Sequence, residues 1–332
     1  MLEANTPLET SPSLLECVSL TKKMGEFRLA DIHFALQPGY ILGVIGRNGT
    51  GKTTLVRLIA GSYELEEQGD SILAGTSIKE NVVGYKKQIA YILHKNPFPQ
   101  MITPKDCAMV YGYYYKGFDK KKYREYLKEF EVPETVIIKN LSKGQQIRQQ
   151  LAFALSYKAK LYILDEPAAN LDVEFRDIFY QYVRRMTEDG TSSVIYVSHL
   201  VDELEQLADY ILWLGAEKTE NKKRGYQRFF GTMDELREQF QLIEMSKRQF
   251  KESAVKNFLE KEDLKKTIKE ENIIGVRERE HHQEMLVQID REFLPEEIKQ
   301  VSRYASLKEI MYYNEKGVED DETDMGRALG RK

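Results

Sequence analysis

Short apolar runs, set apart by turn residues and amphipathic stretches, dominate the first two thirds of the chain. Leu14 to Leu20 and Asp31 to Gln37 read as short strands around the turn residues Lys23 to Glu26, and Pro38-Gly39 then turns the chain into Tyr40 to Ile45. Further buried-type runs lie at Ile89 to Leu93, Leu161 to Leu164, Val194 to Val197 and Tyr210 to Leu214. Helical spacing fills the intervals, beginning with Leu55, Leu58 and Ile59. Strands alternating with helices predict an α/β fold with a mostly parallel sheet covered on both faces.

The pattern changes twice. Between Pro104 and Pro133 it predicts two helices rich in Tyr, Lys and Glu, with Tyr111, Tyr113, Tyr114 and Tyr115 in the first. This marks a helical subdomain, about residues 100–158, inserted into the α/β core. After Gly231 come charged helical stretches (Met233 to Phe240, Lys256 to Glu271), two strand candidates (Ile273 to Val276, Met285 to Ile289) and a helix from Ser306 to Tyr313. The economical reading is a core domain over 1–231 and a small α+β accessory domain over 232–332. Glu319, Asp320, Asp321, Glu322 and Asp324 make an acidic tail expected to be mobile.

Composition narrows the classes. The chain has 332 residues, 42% of them hydrophobic, enough to fill a core. A formal net charge of −4 with both signs interspersed gives no protein-wide attraction to nucleic acid or an anionic membrane, so no nucleic-acid partner is expected. Cys17 and Cys107 lack neighbours at metal-ligand spacing and read as buried thiols. Met1 to Ser13 shows no basic-then-apolar leader, which predicts a cytoplasmic chain. No apolar run approaches the roughly 18 residues that a spanning helix requires. Work at a membrane would therefore need another chain to cross it.

Two stretches carry chemistry. Gly46-Arg47-Asn48-Gly49-Thr50-Gly51-Lys52-Thr53-Thr54 fits G-x-x-x-x-G-K-T between a buried strand and a helix. Glycines let the backbone curl so that successive N–H groups point at phosphate oxygens, and the following helix adds the positive end of its dipole. Lys52 would reach the β- and γ-phosphates of ATP, and the Thr53 hydroxyl would hold Mg²⁺. Leu161 to Glu166 is a buried strand ending in two carboxylates, which belong at the carboxyl end of the sheet beside that loop. Asp165 would bind Mg²⁺, and Glu166 would polarise the attacking water. His199, after the strand Ser193 to Val197, projects from the same edge and is suited to sensing the γ-phosphate.

Leu141-Ser142-Lys143-Gly144-Gln145, lying between the loop and the acidic strand, resembles the signature motif of ABC-family ATPases. Ala169-Asn170-Leu171-Asp172 resembles the family's D-loop and Ser198-His199 its switch histidine, so the likeness covers about Leu14 to Gly231. By itself, Leu141 to Gln145 is a helix N-cap. The resemblance implies a P-loop NTPase core of the ABC ATPase type. It also implies that Ser142, Lys143, Gly144 and Gln145 seal the ATP held by a second subunit, in a homodimer or a heterodimer with a related ATPase. Two positions depart from the family: His94 stands where a glutamine is usual, as a weak Mg²⁺ or water contact, and Lys143 replaces a glycine. Met24 occupies roughly the place of the adenine-stacking aromatic, and Phe27 close by is the substitute candidate.

The stretches Gly231 to Leu236 and Ala305 to Ile310 resemble the C-terminal extension of bacterial exporter ATPases. That subgroup pairs with a separate permease at the inner face of the cell membrane and exports peptides, lipids or antibiotics. The extension itself reads equally as a packing domain or a regulatory one. The tyrosine cluster reads equally as a groove for a permease helix or as packing within the subdomain. The rival functions are a soluble ABC ATPase acting without a permease and a nucleotide-dependent regulator with feeble hydrolysis.

Overall fold

In the computed structural model the described residues are 12–219, 222–246, 272–279 and 281–316. Their contacts divide the chain into two compact units. One runs to Leu200 and resumes over Leu207–Phe230; the other takes Val201–Gln206 and the residues from Gly231 onward. This division differs from the sequence reading at one element, the helix that directly follows His199. The predicted helix Lys256 to Glu271 and the acidic tail lie outside the described residues.

The first unit is built on a ten-stranded sheet. Its strands in chain order are β1 (Leu15–Met24), β2 (Phe27–Leu36), β3 (Ile41–Ile45), β4 (Asp70–Leu73), β5 (Thr76–Ser77), β6 (Ile89–Leu93), β7 (Leu161–Asp165), β8 (Ser193–Val197), β9 (Tyr210–Thr219) and β10 (Lys222–Thr232). Across the sheet the order is β5-β4-β1-β2-β10-β9-β3-β8-β7-β6. The run β9-β3-β8-β7-β6 is parallel, as the apolar runs predict, and β3 and β8 are buried at every residue. The other end is an antiparallel ribbon: β1 pairs with β2 on one side and β4 on the other, and β4 with β5. Here the sequence reading was too short. β1 and β2 are ten residues each, because Gly25, at φ 60°, allows a two-residue turn where a four-residue one was expected. β4, β5 and β10 were not read at all, since their apolar positions are too few to stand out.

The helices of this unit are α1 (Lys52–Ile59), α2 (Val82–Lys86), α3 (Pro104–Val110), α4 (Lys120–Glu129), α5 (Lys143–Ala154) and α6 (Val173–Arg185), with α7 (Val201–Leu207) leading into the second unit. α1 packs Leu55, Val56, Leu58 and Ile59 into a core shared with Leu42, Val44, Leu161, Ile163, Ile195 and Leu212 of the sheet. α3 begins with a reciprocal capping box: the Thr103 side chain accepts from the Asp106 N–H, and the Asp106 side chain accepts from the Thr103 N–H. The tyrosines follow this helix rather than lying in it; Gly112–Tyr114 is a 3₁₀ turn. Tyr115 packs on Tyr157 and Phe153 and Tyr111 on Phe98, whereas Tyr113 and Tyr114 are 88% and 58% exposed. Packing within the subdomain therefore accounts for half of the cluster, and Tyr113 and Tyr114 are left on the surface. Cys17 and Cys107 are free and buried.

The second unit has a four-stranded antiparallel sheet of β11 (Phe240–Ser246), β12 (Ile273–Glu278), β13 (His282–Gln288) and β14 (Ser302–Tyr304), in the order β12-β13-β11-β14. Its helices are α8 (Met233–Glu238), α9 (Glu296–Lys299) and α10 (Leu307–Lys316). Phe240, read as a helix end, starts β11 instead: Phe240, Leu242, Ile243 and Met245 are buried, and the β13 ladder outweighs helical spacing. α7 belongs here because Glu205 accepts from the Leu307 N–H at 2.6 Å and Asp202 pairs with Lys308 at 3.0 Å. No helix of the described residues is long and apolar enough to cross a membrane.

Candidate functional site

Register decides where the chemistry sits. Val44 of β3 is level with Val197 of β8, and Val197 with Asp165 of β7, so the phosphate loop, the acidic pair and the His199 segment leave the sheet at one edge. The His94 N–H donates to the Asp165 carbonyl at 3.0 Å and the Glu166 N–H to the Val197 carbonyl at 2.9 Å, carrying the ladder one residue further on each side.

The loop has the curl its glycines predict. Gly46, at φ 150°, lies so close to the Leu214 carbonyl and the Thr50 hydroxyl that a Cβ would stand 2.6 and 2.7 Å from them. Buried Thr50 ties the loop to itself by donating to the Arg47 carbonyl at 2.9 Å. The Lys52 ammonium donates to the Gly46 carbonyl at 2.5 Å and the Arg47 carbonyl at 3.3 Å.

A cavity of about 420 Å³ opens here, lined by Phe27, Asn48, Gly49, Gly51, Lys52, Thr53, Thr54, His94, Asp165, Glu166 and Val197. Of the residues that the sequence reading assigned to one subunit's nucleotide, it brings together Phe27, Asn48, Gly49, Gly51, Lys52, Thr53, Thr54, His94, Asp165 and Glu166, whereas Gly46, Arg47, Thr50 and His199 are not among its lining residues. Phe27 edges this cavity beside Gly51, while Met24 is exposed and does not line it. His94 is a lining residue too, and its Nδ1 meets the Asn170 amide at 3.4 Å.

Asp165 and Glu166 differ in setting. Burial, and then the neighbouring Glu166 carboxylate, raise the Asp165 pKa. Glu166 has a left-handed backbone, φ 51°, unusual for a residue with a Cβ; this turns the chain sharply after β7. Its carboxylate meets Nδ1 of His199. The donor set suits a hard cation: the Thr53 hydroxyl and the Asp165 carboxylate are oxygen ligands, and Mg²⁺ needs only one or two protein ligands when phosphates and water complete its shell. A cation there would also relieve the desolvated charge of Asp165.

Ser142 to Gln145 do not line this cavity. Ser142 caps α5: its hydroxyl accepts from the Gln145 N–H at 3.1 Å, and the Gln145 side chain accepts from the Ser142 N–H at 3.0 Å. Exposed Lys143 is the first residue of the helix, and a Cβ on Gly144 would stand 3.0 Å from the Asn170 carbonyl.

Two residues that the sequence reading missed hold the signature helix to the catalytic edge. Gln150 of α5, buried, accepts from the Leu93 N–H at 2.8 Å and donates to the Leu93 carbonyl at 3.1 Å, which fixes the exit of β6 just before His94. Arg148 pairs with Asp172, donates to the Phe130 carbonyl at 3.3 Å and lies 4.1 Å above the Phe175 ring. Asp172 meanwhile caps α6 through the Phe175 N–H at 2.9 Å. Only their place on a helix with an almost wholly buried face hinted at such roles.

Two predictions arise from this geometry. The folded-state pKa of Asp165 lies above its ordinary value of 3.8, so the nucleotide-free fold binds that proton more tightly than the unfolded chain does. Stability from this group is then complete below 3.8 and is lost as pH rises through the raised value, leaving the full penalty at neutral pH. Asp165→Asn should raise the melting temperature of the nucleotide-free protein at pH 7, by calorimetry, while removing magnesium-dependent hydrolysis. Arg148→Ala should destabilise the fold by about 1–2 kcal/mol in urea unfolding, through lost packing on Phe175 and an unpaired Asp172.

Comparison with known proteins agrees with this geometry. The ABC transporter family model matches residues 29–169. The chain is 30% identical over 237 residues to the ABC transporter ATP-binding protein YtrB of Bacillus subtilis, covering 70% of this chain and 77% of that protein. It is 28% identical over 217 residues to a galactose/methyl galactoside import ATP-binding protein of Photobacterium profundum, covering 62% of this chain and 43% of that one. Among solved structures it shares the fold of a dimeric ATP-binding cassette in a post-hydrolysis state bound to ADP and Pi, at a TM-score of 0.55 and 18% identity, covering 66% of this chain and 98% of the other. The phosphate loop, the acidic strand end and the relatedness to a curated cassette along most of its length converge: the chain belongs to the ABC transporter ATP-binding family, the ATP-hydrolysing subunits of these transporters.

Proposed function

We propose that two such chains clasp MgATP between them, each offering its phosphate loop to one nucleotide and its Ser142 helix start to the other. The clasp drives a separate permease at the inner face of the membrane. The observation that carries this reading is the single cavity in which Lys52, Thr53, Asp165 and Glu166 meet, with His199 on the Glu166 carboxylate. Lys52 and the loop N–H groups would bind the phosphates, and Thr53 and Asp165 would hold Mg²⁺. Glu166 would take a proton from the attacking water while His199 holds its carboxylate in place. Bound Mg²⁺ supplies charge neutralisation at the phosphates.

The trans role of Ser142 and Gly144 is supported by their exposed helix start, whose N–H groups and dipole favour a phosphate. The dimeric solved cassette supports the pairing by analogy, and the YtrB likeness supports a permease as partner. Export of a peptide, lipid or antibiotic rests on the resemblance of the C-terminal extension to exporter ATPases; the cassette portion is shared with import proteins.

Co-purification with a co-expressed ABC permease, followed by ATP-driven transport in inverted vesicles, tests this. Accumulation of cargo inside inverted vesicles supports export. Hydrolysis that proceeds at full rate and is indifferent to every permease would sink the transport reading.

A further inference from the structure

The phosphate loop is touched from outside by a segment that no motif marks. β10 runs parallel to β2, with Lys223 level with Phe27, Arg224 with Arg28 and Gly225 with Leu29. The Lys223 N–H donates to the Glu26 carbonyl at 3.1 Å, which holds that register. Two residues along, buried Gly225 lies so near the loop that a Cβ there would overlap the Thr50 carbonyl oxygen. Residues two apart share a strand face, so Lys223 is directed to the same side. Its ammonium stands 2.5 Å from where a Cβ on Gly49 would be, while the Phe27 ring stands 3.0 Å from where one on Gly51 would be. Partnered residues of two adjacent strands therefore bracket the loop, one with an aromatic ring and one with a cation.

Lys223 is half-buried, and among the described residues neither a carboxylate nor another acceptor partners its ammonium. A cation kept partly out of water without a counter-charge is costly unless an anion arrives. Gly49, the residue it covers, is itself part of the cavity wall.

We propose that Lys223 is a further nucleotide-binding residue, its ammonium neutralising a phosphate oxygen of the nucleotide held in its own subunit. The inference rests on the nucleotide reading of the cavity. Lys52 meets the phosphates from inside the loop, and Lys223 adds a second positive charge from the outer rim. Such an interaction is charge-assisted and grows with the number of phosphates. It therefore separates triphosphate from monophosphate, where Phe27 stacking would not.

The test is calorimetric titration of ATP and AMP into the full chain as wild type, Lys52→Ala, Lys223→Ala, Lys223→Arg and Lys223→Glu, at low and at high salt. The ladder bond at Lys223 uses its backbone and the ammonium has no counter-charge among the described residues to lose, so the melting temperature of Lys223→Ala should not fall below the wild-type value. Lys223→Ala should weaken ATP about tenfold, the size of one charge-assisted bond, with AMP held within about twofold. Lys223→Glu should lose more, Lys223→Arg should bind near wild type, and the loss should shrink at high salt. Wild-type ATP affinity in Lys223→Ala overturns the proposal, as does an equal loss for ATP and AMP, which would mark loop packing alone. A wild-type chain that binds no ATP overturns the nucleotide reading itself, and this inference with it.

Discussion

Glu166→Gln should stop multiple turnover, lowering hydrolysis about 10²-fold to 10⁴-fold, the usual contribution of a positioned base, while leaving ATP affinity within a few-fold of wild type. The amide keeps the shape of the carboxylate and can still meet the His199 ring, so the φ 51° turn after β7 and the cavity wall should survive. What it loses is the capacity to accept a proton from water. With ATP bound and not cleaved, the charge-assisted bonds sealing the two subunits persist, and the variant should accumulate as an ATP-bound dimer. Gel filtration with MgATP, with bound nucleotide counted per chain, reads this directly. Turnover within a few-fold of wild type would remove Glu166 from its role. If the variant stays monomeric with MgATP, even beside its permease, the clasp between two chains is wrong. A dimer formed by this chain alone would also favour a homodimer over pairing with a related ATPase.

Lys52→Ala is the second large effect, and it acts one step earlier. The Lys52 ammonium spans the Gly46 and Arg47 carbonyls across the loop, and among the described residues that line the cavity no other lysine or arginine is present. Its removal leaves the loop N–H groups and the start of α1 as the phosphate attractors. Hydrolysis should fall about 10²-fold to 10³-fold, the cost typical of deleting one preorganised donor at a developing charge. Unlike Glu166→Gln, it should also weaken ATP binding and abolish the trapped dimer, because no glue is held. The two variants therefore separate binding from chemistry: fluorescent-nucleotide titration fails with Lys52→Ala and succeeds with Glu166→Gln. Loss of both measurements in Glu166→Gln would point instead to a collapsed cavity.

The site was readable in the sequence to the extent that its parts are contiguous. Gly46 to Thr54 and Leu161 to Glu166 each carry strand, turn and functional group within a dozen residues, so their edge position follows from local pattern alone. Phe27 was harder, because its place depends on the length of β1 and β2, and the shorter strands read from apolar runs put Met24 in competition. Gln150 and Arg148 were out of reach: a buried glutamine looks polar in sequence, and only its two bonds to Leu93 reveal why it is buried.

The boundary between what sequence determines and what tertiary structure decides thus follows the range of the interactions. Apolar periodicity and local capping determined the parallel core, the phosphate loop, the acidic strand end and the Ser142 cap, since each is settled by neighbours a few residues apart. The pairing of β1 with β4, the assignment of α7 to the second unit, the meeting of Arg148 with Asp172 and the placing of Lys223 over Gly49 are decided by contacts between segments 24 to 174 residues apart. Register is fixed by how whole faces pack, and no stretch of residues read alone contains it.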